Sequence, residues 1–569
     1  MANNIGLDFG TTYSVISRLK NVTRKADGSI ESYELETCLP NEGALSPYID
    51  SVVFRRKDGT LLCGHSTRNE TVRKGITVYK GFKMMLTENN DTVLKERGYD
   101  KDYTPARIVK EYIDDVLQGY ITTCRQETSI DKVVIGVPEI WFSDAYTIDC
   151  RTTLEDIVSS LEYVNEVELV SEPAAACAFF VEKYKQKKNE PFNGKILLVD
   201  YGGGTLDIAL CDVKDTIQNS EISVIKRCGA GLNEEGFIGK AGFAFLEAVV
   251  KLALKPTGLS DEEIIGHRRF HSWVNSLESE LMNGRQMKAI EETFSSVVCQ
   301  EDREALLDPE YDAFCTIYFD EDDENGYCIT YGMLAMAYNN IIYPVLNEKL
   351  DEVIEYMNDN NITVDKFVTV GGFCNFFLTH DQIKNKFFNG SDDPRFSDII
   401  DDRRECEAAI SYGAALIAEG VVSYKQLAPY HLGFGKGSKN ELQEIYYVIN
   451  KGDDIVYDEP VFMKNEDGTD MLFAAKKIPL LVFNLDDSCN EKNVLWGEPL
   501  EEYQKKLSLQ PLQDKQRYKL GISLDRSMII TLHKQKVNYD NPSEVYESSR
   551  VRLNDIYAVL GDLIKARSN

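Results

Sequence analysis

No stretch of this sequence stays apolar for the roughly 18 residues that a membrane-crossing helix needs, and none of its cysteines form a CxxC pair. The 13 cysteines are scattered and odd in number, so reduced thiols are expected rather than a disulfide framework. Positive charge is also short: 63 lysines and arginines face 93 aspartates and glutamates, a formal net charge of −30. That balance argues against nucleic-acid or anionic-membrane binding through bulk electrostatics, but leaves room for one local basic pocket. Met1-Ala2-Asn3-Asn4 runs straight into a strand pattern with no charged n-region or apolar h-region, so a cytoplasmic chain is expected. His267 and His271 have the i,i+4 spacing of one helix face, yet no third ligand lies nearby, which reads as an exposed face rather than a metal site.

What the sequence does have is length and two glycine turns. At 569 residues the chain is too long for one compact core, so at least two domains are expected. Ile196-Leu197-Leu198-Val199-Asp200-Tyr201-Gly202-Gly203-Gly204-Thr205-Leu206-Asp207 reads as a buried strand, a turn and a departing strand. Glycines there let main-chain N–H groups approach an anion without a Cβ in the way. Alone it reads equally well as an ordinary hairpin. Ile5-Gly6-Leu7-Asp8-Phe9-Gly10-Thr11-Thr12-Tyr13-Ser14 repeats the form apolar-Asp-x-Gly-Thr, and is the one internal repeat found. Two such hairpins facing each other can close on a triphosphate, with Asp8 and Asp200 placed to hold a divalent cation through waters.

On these two loops, the chain resembles the actin, sugar-kinase and heat-shock ATPase superfamily, and most closely a divergent member of the heat shock protein 70 kDa chaperone family. Further segments carry the resemblance in order. Tyr79-Lys80-Gly81-Phe82-Lys83-Met84-Met85-Leu86 resembles the catalytic-lysine segment, with Lys83 in that role and Lys80 as the alternative. Ser171-Glu172-Pro173-Ala174-Ala175-Ala176 resembles the Glu-Pro-x-Ala-Ala element, and Glu172 would order the attacking water. Val370-Gly371-Gly372-Phe373-Cys374-Asn375 resembles the adenosine loop, with Phe373-Cys374-Asn375 where the family has Ser-x-Arg. Glu278 resembles the adenosine-gripping glutamate, while Leu281 and Met282 replace the basic pair beyond it. Glu407 stands where the closing helix usually has Asp. Pro138 matches the first connecting segment, but Tyr146 and Thr147 stand where an arginine is expected.

The resemblance implies an α/β fold: a duplicated, actin-like (ribonuclease H-like) ATPase domain of two lobes over residues 1–422. A small, mainly-β domain over 423–552 would follow, in the manner of a reduced substrate-binding sandwich, and then a short helix over 553–569. It implies ATP/ADP and Mg²⁺ as cofactors, with Lys83, Glu172, Asp200 and Thr205 catalytic. Gly10, Thr11, Thr12, Tyr13, Gly202, Gly203, Gly204, Glu278, Gly371, Gly372, Phe373 and Glu407 would bind nucleotide, and Asp8 and Asp200 the metal. The expected partners are a polypeptide client and co-chaperones. From residue 424 onward, short alternating strands at 444–449, 478–484, 518–524 and 528–532 replace helical patterns. Three other readings share the fold: a nucleotide-sensing scaffold with weak or no hydrolysis, a small-molecule kinase and a filament-forming protein.

Overall fold

In the computed structural model, the first glycine turn joins β1 (Asn4–Phe9) to β2 (Tyr13–Arg24), antiparallel with Asp8 opposite Val15. The structure describes residues 2–553 except 27, 29, 42–43, 70–75, 89–90, 124–127, 144–148, 217–219, 232–240, 268, 282–283, 297–305, 319–325, 389–392, 397–399, 401–402, 429–430, 439–440, 475–479, 485–493, 497–504 and 526. β3 (Ile30–Thr37) extends the ladder beyond β2, and β4 (Ile130–Val137) and β5 (Val164–Ser171) add in parallel on the far side of β1. The second glycine turn joins β6 (Gly194–Tyr201) to β7 (Leu206–Asp215), with Asp200 opposite Asp207. β8 (Ser220–Ala230) extends that ladder, and β9 (Lys366–Val370) lies parallel to β6. Both sheets therefore follow one plan: three antiparallel strands, then parallel strands beyond the first. The chain is a mixed α/β protein with several sheets.

The helices that position the site are α1 (Asp149–Ser159), α2 (Glu172–Lys188), α3 (Gly242–Leu254), α4 (Phe270–Leu281), α5 (Gly284–Ser295), α6 (Phe377–Phe388) and α7 (Arg403–Ala418). α2 starts where its sequence predicts, with the Ser171 hydroxyl accepting from Ala174 N–H, Pro173 in the first turn, and Asn189 ending it at φ 55°. α2 and α7 share one buried cluster with strands of both sheets, and their small residues are what lets them lie there. A Cβ on Gly413 would overlap the Ala175 carbonyl oxygen. A Cβ on Gly6 would overlap the α7 backbone at Ser411 and Ala415. Ser17 and Ser411 hydroxyls share a buried hydrogen bond of 2.7 Å across the same contact.

Beyond α7, Val422–Gln426 forms β10, which pairs in parallel with β8 and so joins the second sheet. Two four-stranded antiparallel sheets follow. One contains β11 (His431–Ser438), β12 (Glu441–Ile449), β14 (Leu480–Asn484) and β15 (Val494–Trp496). The other contains β13 (Val461–Phe462), β16 (Gln516–Leu524), β17 (Ile530–Asn538) and β18 (Val545–Arg552). Their apolar residues belong to the same buried cluster as the outer face of the first sheet. Polar contacts reinforce the join: Arg151 Nη1 donates to the Ser527 carbonyl (3.0 Å), and Arg552 Nη2 reaches both Glu155 (2.6 Å) and Asp525 (2.7 Å).

Two expectations change. His267 lies before α4, so it shares no helix face with His271; its ring stacks on Trp273 at 4.7 Å. Met528 does not open a strand, because it sits at φ 62° in the turn closed by its N–H to Asp525. The terminal helix lies, from residue 554 on, outside the described residues, as do Tyr146, Thr147 and Met282. No helix among the described residues is long and apolar enough to cross a membrane.

Gly413→Ala forces α2 and α7 apart and should cost about 1–3 kcal/mol, read as a lower urea midpoint; an unchanged midpoint would remove the close-packing argument. A second outcome concerns pH. Burial, and then Arg550, lower His533 from 6.5 to about 4, while its Nε2 lies 2.7 Å from Ser523 Oγ. A proton therefore binds the unfolded state first, and stability should fall as pH drops from 6.5 toward 4. In His533→Asn that part of the fall in melting temperature should disappear, and an identical pH profile would refute it.

Candidate functional site

The two hairpin turns face each other across a cleft. Each loop is tied back by its own carbonyls. Ser51 Oγ donates to the Gly10 carbonyl (2.7 Å) and Ser51 N–H to that of Thr12 (2.8 Å). On the other side, Gly242 and Phe243 N–H, at the start of α3, donate to the carbonyls of Gly202 (3.2 Å) and Gly203 (2.7 Å). Glycine is demanded where the loops meet: a Cβ on Gly203 would lie 2.6 Å from Thr12 Oγ1, and one on Gly204 would overlap Thr11 Oγ1. Gly371 holds φ 83°, and a Cβ there would overlap an Asp200 carboxylate oxygen, so the third glycine loop packs directly on the second.

Every residue assigned above to catalysis, nucleotide or metal, the alternative Lys80 aside, lines a single cavity of about 1100 Å³. At its floor Lys83 is 2 % exposed, its ammonium donating to Glu172 at 2.5 Å and lying 5.5 Å from the Phe9 ring and 5.8 Å from that of Trp141. Lys80 is elsewhere, bonded across the cleft to Asn275 of α4. Burial holds Lys80 below the usual ammonium range and Glu278 above the usual carboxylate range, while each is drawn back by the other's charge. Tyr13 stands at the mouth, 41 % exposed, edge-on to Tyr48. Phe373 is half-buried: one side packs on Tyr201, Phe245 and Phe376, and it still lines the cleft.

The floor is electrostatically expensive. Asp8 is pushed up to about 8, by burial first and then by Glu172, with Lys83 acting against both. Burial also drives Asp200 well above the carboxylate range, helped by Glu172, Asp207 and Asp8. Asp207 follows for the same first two causes, burial and Glu172. No role was read for Asp207 from sequence, although it ends the second glycine motif. It is fully buried, accepts from Glu139 N–H at 2.7 Å through Oδ1, and leaves Oδ2 without a hydrogen-bond partner. Like-charged groups facing across a hairpin destabilise it, so such a cluster fits a site that receives a cation. Among the described residues no three His, Cys, Asp or Glu side chains group so as to ligate a metal directly. Sequence reasoning also missed the polar residues of α5 and α6 at the far end, Lys288, Glu291, His380, Asp381 and Lys384. The spacing of 377, 380, 381 and 384 along one helix face was the available signal.

Replacing Asp207 by Asn removes a carboxyl whose ionised form burial and Glu172 disfavour, keeps an oxygen to accept from Glu139 N–H, and should stabilise the ligand-free protein by roughly 1–3 kcal/mol. Differential scanning measures it; a lower melting temperature would mean the carboxylate is structural.

Residues 51–220 match the family model described as Hsp70 protein. Among curated proteins, the chaperone protein DnaK of Thermotoga maritima is 31% identical over 232 residues, 40% of this chain and 32% of its own. The DnaK of Mycoplasmoides gallisepticum is 24% identical over 223 residues, 38% of this chain and 32% of its own. A ribosome-associated molecular chaperone of Zygosaccharomyces rouxii is 27% identical over 224 residues, 37% of this chain and 34% of its own. The chain thus spans about a third of the length of the curated relatives it matches. Over that shared part, the chain is similar to chaperones of the Hsp70 family.

Proposed function

We propose that this protein is a chaperone-like ATPase that binds ATP with Mg²⁺ between two actin-like lobes and couples their closure to a polypeptide client. The observation that carries the reading is the pair of facing hairpins whose glycines and threonines interlock above the buried Lys83–Glu172 pair. In this reading Gly10, Thr11, Thr12, Gly202, Gly203, Gly204 and Thr205 take the phosphates. Asp8 and Asp200 hold Mg²⁺ through waters, in keeping with the metal's reluctance to lose them. The metal would screen charge on the phosphate oxygens.

Lys83 supplies a fixed positive charge beside the transferring phosphoryl group, held in place by its bond to Glu172 and by the aromatic faces of Phe9 and Trp141. Glu172 holds the attacking water, oriented by its bond to Lys83 and by its place in the first turn of α2. Thr205 aligns the same water from the opposite loop. Glu278, Gly371, Gly372, Phe373 and Glu407 hold the nucleoside.

Coupling has a contiguous route. Asp207 accepts from Glu139 N–H; Arg227 donates to the Glu139 carboxylate at 2.5 Å and to the Tyr424 hydroxyl at 3.3 Å. Tyr424 lies in β10, the strand leading into the β-rich region, which would hold the client. A change at the phosphate loops thus reaches that region through packed, bonded groups.

Single-turnover hydrolysis of MgATP tests the enzyme. Wild type should turn over, and Lys83→Ala should lose about 100-fold or more of that rate while still binding nucleotide. Binding without turnover in the wild type would replace this reading with the nucleotide-sensing scaffold, and phosphate transfer to a sugar with the kinase.

A further inference from the structure

The end of the cavity away from Asp8 has a different chemistry from the phosphate end. Its lining includes the aromatic side chains of Phe373 and Phe377 and the apolar ones of Leu281, Met287 and Ile290. No arginine lines the cavity among the described residues. Phe377 heads a face of α6 that continues with His380, Asp381 and Lys384, one helical turn after another. Across from them α5 contributes Lys288 and Glu291.

We propose that this end is a stacking slot that accepts either purine, so that GTP binds about as well as ATP; the inference rests on the nucleotide-binding reading above. Aromatic and apolar walls recognise a base by its area, which adenine and guanine share and a single pyrimidine ring lacks. Their hydrogen-bonding edges differ. Adenine offers an amino donor and a ring acceptor; guanine offers an acceptor and two donors. A site selects between them only by holding one fixed donor–acceptor pattern. Here both kinds of group are present on long or rotatable side chains. Glu291 and Asp381 accept, Lys288 and Lys384 donate, and burial lowers His380 toward a neutral ring that does both. Either edge finds partners.

Calorimetric titration of the full chain with Mg²⁺ and, separately, ATP, GTP, UTP and inorganic tripolyphosphate tests it. The Kd values for ATP and GTP should agree within about tenfold, and UTP should bind at least about tenfold more weakly. Phe377→Ala, and Phe377→Leu, which keeps the apolar volume, should each weaken both purine nucleotides by about tenfold and leave tripolyphosphate unchanged. A preference for ATP over GTP of about a hundredfold, UTP equal to ATP, or Phe377 variants with unaltered purine affinity would each overturn the slot. If tripolyphosphate binds and the purine nucleotides gain nothing over it, the slot fails while the phosphate end stands. If neither tripolyphosphate nor any nucleotide binds, the nucleotide-binding reading falls with it.

Discussion

The close approach of α2 and α7 between the two sheets is the constraint on which the rest of the molecule depends. At Gly413 the backbone of one helix lies against the Ala175 carbonyl of the other, with no space for a side chain. Helices packed this tightly set a fixed distance between the sheets they separate. That distance determines how far apart the two hairpin turns stand, because each turn is an extension of the innermost strands of its sheet. The same helices carry Glu172 and Glu407 into the cleft near their N-terminal ends. Small side chains along α2 and α7 therefore serve the site as much as the core.

Given that spacing, the cleft concentrates carboxylates that no isolated fold would place together. Asp200 and Asp207 face each other across a hairpin, and Asp8 and Glu172 close in from the other sheet. Burial raises the cost of every ionised form. The Lys83–Glu172 pair relieves part of it, and the unpartnered Asp207 oxygen shows that some remains. Local conflict of this kind, surrounded by strands and helices whose sequence and structure agree, is where function is expected to sit. At the other end of the cavity the conflict vanishes, and apolar walls with mixed charges take over.

Much of the frame could be read from residue patterns. The apolar runs flanking each glycine turn became strands, Ser171-Glu172-Pro173 opened a helix, and the stripe Ile108, Tyr112, Val116, Leu117 and Tyr120 is buried in the helix Pro105–Thr123. Those signals are local, carried by period, caps and turn chemistry. The motif favoured Lys83 over Lys80 without showing what either meets; one is enclosed by Phe9, Trp141 and Glu172 and the other reaches Asn275, contacts that come from distant parts of the chain. That Val422–Gln426 forms a strand could not be read from its own residues, because strand addition to β8 depends on an edge built two hundred residues earlier. His267 and His271 looked like helix neighbours, since nothing in their spacing reveals that the helix starts after His267.

By itself, then, the sequence determined the elements and their turn chemistry: two Asp-glycine hairpins, the capped small-residue helices and a β-rich C-terminal part. Tertiary structure alone decided that the hairpins face each other with Thr11 and Thr12 against Gly204 and Gly203. It also decided which lysine meets Glu172, that Asp207 joins the buried carboxylates, and that the β-rich part shares a core with the first sheet. The reason is one of range. Backbone preference and periodicity act over a few residues, whereas burial, charge pairing and close packing exist only once segments far apart in the chain have come together.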